Sequence, residues 1–171
     1  MVIARAADGG MRDAQSIFDQ MIAFCAGDSE ATAIGESDVV EVFGLASQTE
    51  LRILAGALIT SDAQASILAL HHLAEKGRNL ERLYQDILLT LRAIMICQIV
   101  ADPGPVLGLA DSEIIEIRNM AKDMSPAAVR RLVEGMMAHD GRLRNTLNKR
   151  VFLESILLRV MREAHTVTID D

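Results

Sequence analysis

The sequence predicts an all-α protein, a helical bundle closed around an aliphatic core. Half of the 171 residues are hydrophobic but only 3% are aromatic, and Trp is absent. Ala, Leu, Ile and Met supply most of the apolar mass, a set that favours helices over β-branched, aromatic strands. Proline is confined to Pro103, Pro105 and Pro126, so little interrupts the long periodic runs. Those runs repeat at helical spacing and are bounded by capping residues. A chain of this length has room for one sizeable core, or for one domain with a fragment of a second.

Taken in order, residues 3–8 read as the tail of a helix stopped by Gly9-Gly10. Residues 11–25 follow as a second helix, with Ala14, Ile17, Phe18, Met21 and Ile22 at helical spacing. After a loop containing Gly27, Asp28 and Gly35, Ser37 can cap a short helix to Phe43, which Gly44 ends. Ser47 with Glu50 three residues later forms a capping-box pattern for a helix to about residue 60. Asp62 caps the next, which Gly77 ends.

The longest helix runs from Asn79 to about Ala101, with Leu80, Leu83, Tyr84, Ile87, Leu88, Leu91, Ile94 and Met95 on one stripe. Leu89, Ala93, Ile96 and Cys97 widen the apolar surface of its second half, so that half is expected to be wrapped by neighbours as the centre of a bundle. Asp102-Pro103-Gly104-Pro105 breaks it. Ser112 is expected to cap a helix to about Met124, and Ser125-Pro126 to open another reaching about His139. A loop rich in Arg and Asn leads to a final helix over about 149–164, whose apolar face carries Leu153, Ile156, Leu157, Val160, Met161 and Ala164. The tail, Thr166 to Asp171, is polar and acidic enough to be loose.

Net charge is −7 and unevenly placed: residues 1–125 hold 9 basic and 18 acidic side chains, residues 126–171 hold 8 and 6. An acidic body repels phosphate, which argues against a broad nucleic-acid surface. Arg142, Arg144, Lys149 and Arg150 form the local exception and read as a solvated loop and helix start. Cys25 and Cys97 stand in apolar helical contexts, as free thiols of a reduced, cytoplasmic protein do. No apolar run reaches the roughly 18 residues that a membrane span needs.

Chemistry-bearing patterns are few. No Gly-rich stretch has the P-loop form, so this chain is not expected to bind or hydrolyse a nucleotide by itself. His71 and His72 are adjacent and diverge by about 100° on a helix, which prevents them from facing one metal. His139 and His165 sit near helix ends, and no Glu-x-x-His pattern supplies a bundle metal site. Acid pairs such as Asp111/Glu113 lack a neighbouring nucleophile or base. The methionines, among them Met95, Met120, Met136 and Met161, fall at apolar positions suited to core filling. Arg150 and Glu154 are spaced i,i+4, worth only about 0.3–0.5 kcal/mol on an exposed helix, so any further interest would come from an interface.

The segment from Ala4 to Gln20, ARAADGGMRDAQSIFDQ, places Arg12 and Asp13 in the first turn of a helix. Cationic Arg12 there is slightly unfavourable for the helix dipole, which suits a turn that meets an anion. The string resembles the lid-domain segment of DNA polymerase III gamma/tau subunits: an alanine-rich helix, Gly, a short gap, Arg-Asp-Ala, then an Asp-Gln-containing helix. DVVEVFG at residues 38–44 is similar to the helix that opens the third domain of that family, and Arg150, Glu154 and ILLRVM are similar to its closing helix.

The resemblance implies a two-helix remnant of an AAA+ lid over residues 1–25, a linker over 26–37, a helical collar over 38–165 and a loose tail over 166–171. It implies that Arg12 is the second sensor, reaching the nucleotide phosphates in the full-length subunit, and that Arg150 and Glu154 are interface candidates. The P-loop, the magnesium-binding acidic motif, the zinc module and the arginine finger would all precede residue 1. ATP and magnesium therefore belong to the parent subunit, with no catalytic residue, cofactor or metal expected in this fragment. Other gamma/tau copies and delta-type subunits are the expected partners, with accessory subunits possible. DNA and the sliding clamp would be met only through the full assembly, at a cytoplasmic replisome and without a membrane. A free-standing helical adaptor and a catalytic all-helical protein are the alternatives; the second would need a convergent polar cluster, and none stands out in the sequence.

Overall fold

The computed structural model describes residues 10–25, 46–139 and 141–165 and the single positions 3, 7, 39 and 42; all its regular elements among these are helical. The helices are α1 (Met11–Cys25), α2 (Gln48–Ile59), α3 (Ala63–Glu75), α4 (Leu80–Ile99), α5 (Gly104–Leu107), α6 (Asp111–Met120), α7 (Pro126–Met137) and α8 (Lys149–His165). A short 3₁₀ turn, Leu143–Asn145, precedes α8. The helices expected over 3–8 and 37–43, the loop at 26–36 and the tail from Thr166 lie wholly or mostly outside the described residues, as does the Cys25 side chain.

Local chemistry sets most of the starts. At α2 the reciprocal box forms: Glu50 N–H donates to Ser47 Oγ (3.2 Å) and Ser47 N–H to Glu50 Oε2 (2.8 Å). Asp62 Oδ1 accepts from Ala65 N–H (2.9 Å), Asn79 Oδ1 from Arg82 N–H (2.9 Å) and Ser125 Oγ from Ala128 N–H (3.2 Å). Asn148 does the same for α8, accepting from Val151 N–H at 3.1 Å.

Two expectations near the centre of the chain need correction. Ala110, not Ser112, precedes α6, because the Glu113 carboxylate accepts the Ala110 N–H (3.0 Å) and starts the helix earlier. That helix ends at Met120 instead of Met124; Gln98 of α4 donates to the carbonyls of Ala121 (3.2 Å) and Met124 (2.9 Å) and so holds the turn beyond it. The Pro-rich break also contains α5, a single turn closed by Gly108 at φ +64°.

Helix ends are closed by different means. Gly77 (φ +70°) ends α3 with Arg78 N–H donating to Leu73 O (3.1 Å) and Gly77 N–H to Ala74 O (3.0 Å), a Schellman pattern. The same pattern ends α2 with Ser61 in the left-handed region (φ +56°), where its hydroxyl lies 3.1 Å from His165 Nδ1 of α8. Two arginines act as remote C-terminal caps. Arg118 of α6 donates to the carbonyls of Cys97 (3.2 Å), Val100 (3.2 Å) and Ala101 (2.9 Å) at the end of α4, and Arg131 of α7 donates to Ala164 O of α8 from two nitrogens (3.1 and 2.8 Å).

These elements bring α4 into contact with α2, α6, α7 and α8, the central place the long apolar stripe predicts. Leu83, Tyr84, Ile87, Leu91 and Ile94 of that stripe are buried, with Leu80, Leu88 and Met95 packed at the edge of the core. All six residues predicted for the apolar face of α8 are buried. Tyr84 supplies the core's one aromatic anchor among its buried members, and its hydroxyl donates to the Met136 carbonyl. One part of the prediction fails: Leu89 is 52% exposed, because α2 and α6 leave an open groove over that side of α4.

The core cluster, among the described residues, begins at Ala46 and includes nothing from α1. On α1 itself Ile17 and Met21 are buried, while Phe18 and Ile22 of the same predicted face stand half exposed. Met136 and Met161 fill the core as expected, whereas Met11 and Met137 are exposed. No helix among the described residues is long and apolar enough to cross a membrane.

Candidate subunit interface

Helices α3 and α8 run antiparallel: the start of α8 meets the end of α3 through Arg150, and the end of α8 meets the turn before α3 through His165, whose Nε2 lies 3.1 Å from Ile59 O. Arg150 is the hub of this face. Its Nε lies 3.1 Å from Glu154 Oε1 and its Nη1 3.3 Å from Glu75 Oε1, while Nη2 meets His71 Nδ1. Next to it Lys149 Nζ reaches Glu81 of α4 at 2.6 Å, and that bond holds the Glu81 carboxyl below its ordinary range. The i,i+4 pair foreseen in the sequence thus exists, but it belongs to a network joining three helices. These pairs are solvent-exposed and therefore weak, so the network fixes helix register more than it adds stability.

At the same end of α3, Glu50 of α2 ties its own helix start to the turn that follows α3. Its carboxylate accepts from Ser47 N–H and from Lys76 Nζ (2.8 Å), with Arg78 at 4.0 Å. Burial by itself would raise the Glu50 carboxyl; the hydrogen bonds from Lys76 and Ser47 together outweigh it and hold the group below its ordinary 4.5. A depressed carboxylate adds stability above the unfolded value and loses it as pH falls through the folded value. Glu50→Gln is therefore expected to cost on the order of 1 kcal/mol near neutral pH. In urea melts at successive pH values, the gap to wild type should close as the pH falls below 4.5; a gap unchanged in acid would contradict this.

Arg12 lies in the first turn of α1, exposed, next to Asp13 and far along the chain from the Arg150 network. Its backbone carbonyl accepts from Ser16 Oγ (3.0 Å), and among the described residues its guanidinium has no ion-pair partner. The structure does not bring Arg12 together with Arg150 and Glu154. Among the described residues no group of three or more His, Cys, Asp or Glu side chains is placed to hold a metal ion. His139 is buried with its Nδ1 2.9 Å from Gly135 O, and Cys97 is a buried free thiol whose ionisation burial pushes up.

A feature that sequence reasoning missed is the groove of about 360 Å³ between α2, α4 and the α5–α6 segment. Leu89, Ala93, Leu107, Leu109 and Ile117 give it an apolar lining, and Arg52 and Arg92 stand at its rim. The available signal was the excess apolar width of α4 around Leu89, which marks a surface wanting a cover without saying whether this chain supplies it.

Residues 34–170, which contain α2 to α8, match the family described as DNA polymerase III subunits gamma and tau domain III. The chain belongs to this family. Residues 1–27 match a second description, DNA polymerase III clamp loader subunit, ATPase lid domain, so α1 with Arg12 falls within the lid match. Similar curated proteins include the DNA polymerase III subunit tau of Bacillus subtilis, 25% identical over 170 residues that make up 99% of this chain and 29% of that protein. The DNA polymerase III subunit gamma/tau of Mycobacterium bovis and that of Mycobacterium tuberculosis are each 26% identical over 165 residues, 94% of this chain and 27% of theirs. This gamma/tau-family chain therefore spans less than a third of the curated relatives it matches.

Proposed function

We propose that this chain is the assembly part of a clamp-loader subunit of DNA polymerase III: a collar over residues 38–165 that holds AAA+ subunits together, joined through a linker at 26–37 to the end of an ATPase lid at 1–25. The observation that carries the reading is the domain III match over 34–170, which coincides with the bundle that buries one continuous aliphatic core. An aliphatic core, capped helices and a net acidic surface fit a protein scaffold better than a DNA-gripping surface. ATP-driven loading of the sliding clamp belongs, in this reading, to the parent subunit with its ATP and magnesium, and the chain by itself turns nothing over. Other gamma/tau copies and delta-type subunits are its partners, with Arg150 and Glu154 at the edge of a contact face.

Arg12 is read as the nucleotide sensor of the full-length subunit. A cation in an exposed first turn, beside the N–H groups that point out of a helix start, suits a phosphate brought to it by another domain. In a full-length subunit Arg12→Ala is expected to lower ATP-dependent clamp loading by about tenfold or more, the order of one charge-assisted phosphate contact. Subunit assembly, followed by gel filtration, should stay intact. Unchanged loading would refute the sensor role, and lost assembly would place Arg12 in the scaffold instead.

A further inference from the structure

We propose that the groove between α2, α4 and the α5–α6 segment docks an acidic, apolar peptide segment of a partner protein. The inference rests on the groove alone and is independent of the collar assignment.

Leu51, Leu107, Leu109 and Ile117 are among its lining residues, and Leu89, a large aliphatic side chain 52% exposed on a central helix, faces it. Isolated exposed leucines are ordinary, but this one stands with Ala93, Leu107, Leu109 and Ile117 in a concave surface large enough for a few side chains. The charges around it then select the occupant. Each lining or rim carboxylate is committed: Asp86 to Arg82 (3.4 Å), Glu113 to the Ala110 N–H (3.0 Å) and Glu116 to Arg52. Arg92 is exposed at the groove and pairs with no carboxylate among the described residues. An occupant that places a carboxylate on Arg92 and large apolar side chains over Leu89 satisfies both features at once.

Charge contrast sharpens the choice. The protein carries a net −7, so acidic partners are repelled from most of its surface, and at the groove the Arg92 guanidinium offers such a partner a local attraction. A flexible segment can lower its side chains into a groove of this size.

The test is selection of a phage-displayed library of random short peptides on the full 171-residue chain, followed by anisotropy titrations of the enriched peptides. Enriched sequences should pair Asp or Glu with Leu, Ile, Met or Phe, and should lose affinity by about tenfold or more on Arg92→Glu. Leu89→Ser should weaken them as well. Both positions are exposed, so both variants are expected to melt as wild type does. Lysine for the acid in an enriched peptide should abolish binding to wild type and restore it to the Arg92→Glu chain. No enrichment, sequences without an acid, or affinity indifferent to both substitutions would overturn the proposal. A dimer dissociated by Leu89→Ser would overturn it in favour of a second copy.

Discussion

Leu91→Ala is expected to destabilise the bundle by about 2–5 kcal/mol, while Leu89→Ala on the same helix changes stability by no more than about 0.5 kcal/mol. Two residues along a helix lie about 200° apart, on opposite sides. Leu91 has no solvent exposure and sits within the core cluster between α4 and its neighbours, so truncation removes its transfer energy and leaves a cavity in close-packed surroundings. Leu89 opens onto the groove and leaves no enclosed void. Urea unfolding of the two variants measures the difference directly. Equal effects would mean that the groove is covered within the chain, or that α4 is not central.

Gly135→Ala is expected to cost about 1–3 kcal/mol, although alanine is the better helix former by about 1 kcal/mol. A Cβ at Gly135 would stand 2.8 Å from Val160 Cγ1 and 3.3 Å from Val160 Cβ across the α7–α8 contact. Val160 is fully buried and β-branched, and such a side chain has essentially one χ1 rotamer in a helix, so it cannot swing aside. The helices must move apart, and Arg131 at the next turn, bonded to Ala164 O, would have to follow. The double variant Gly135→Ala/Val160→Ala should be less destabilised than the sum of the two single changes, because each removes one side of the clash. A stabilising Gly135→Ala would show that the contact is looser than the structure has it.

What the sequence makes legible here is what local chemistry decides. Ser47, Asp62, Asn79 and Ser125 cap their helices with their own side chains, so the starts of α2, α3, α4 and α7 are readable without tertiary structure. The α8 stripe is readable for the same reason, since its spacing alone selects six buried residues. Where a neighbour decides, the reading falters. Ser112 has the right side chain for a cap, but the Glu113 carboxylate accepts the Ala110 N–H and moves the start. Nothing near Ser61 announces a left-handed residue; His165, 104 positions later, shares that turn.

The candidate site divides in the same way. Arg150 and Glu154 are paired as their spacing foretells, yet Glu75 and His71, which turn the pair into a tie between α3 and α8, come from a distant stretch of chain. Periodicity marks α4 as apolar on several faces but cannot say where its neighbours stop, so the groove at Leu89 is visible only in three dimensions. Gly135 reads as a minor helix weakness in one dimension and as the closest approach of two helices in three. Arg12 could be singled out only through the resemblance of its surrounding string, because an exposed Arg in a first turn is common on any helical protein.

The most direct test of the assembly role is sedimentation velocity of the chain over a concentration series, alone and with a delta-type clamp-loader subunit. Concentration-dependent self-association, or a heavier boundary containing both proteins, is the predicted result. A strictly monomeric chain that does not co-sediment with the delta-type subunit would contradict the account.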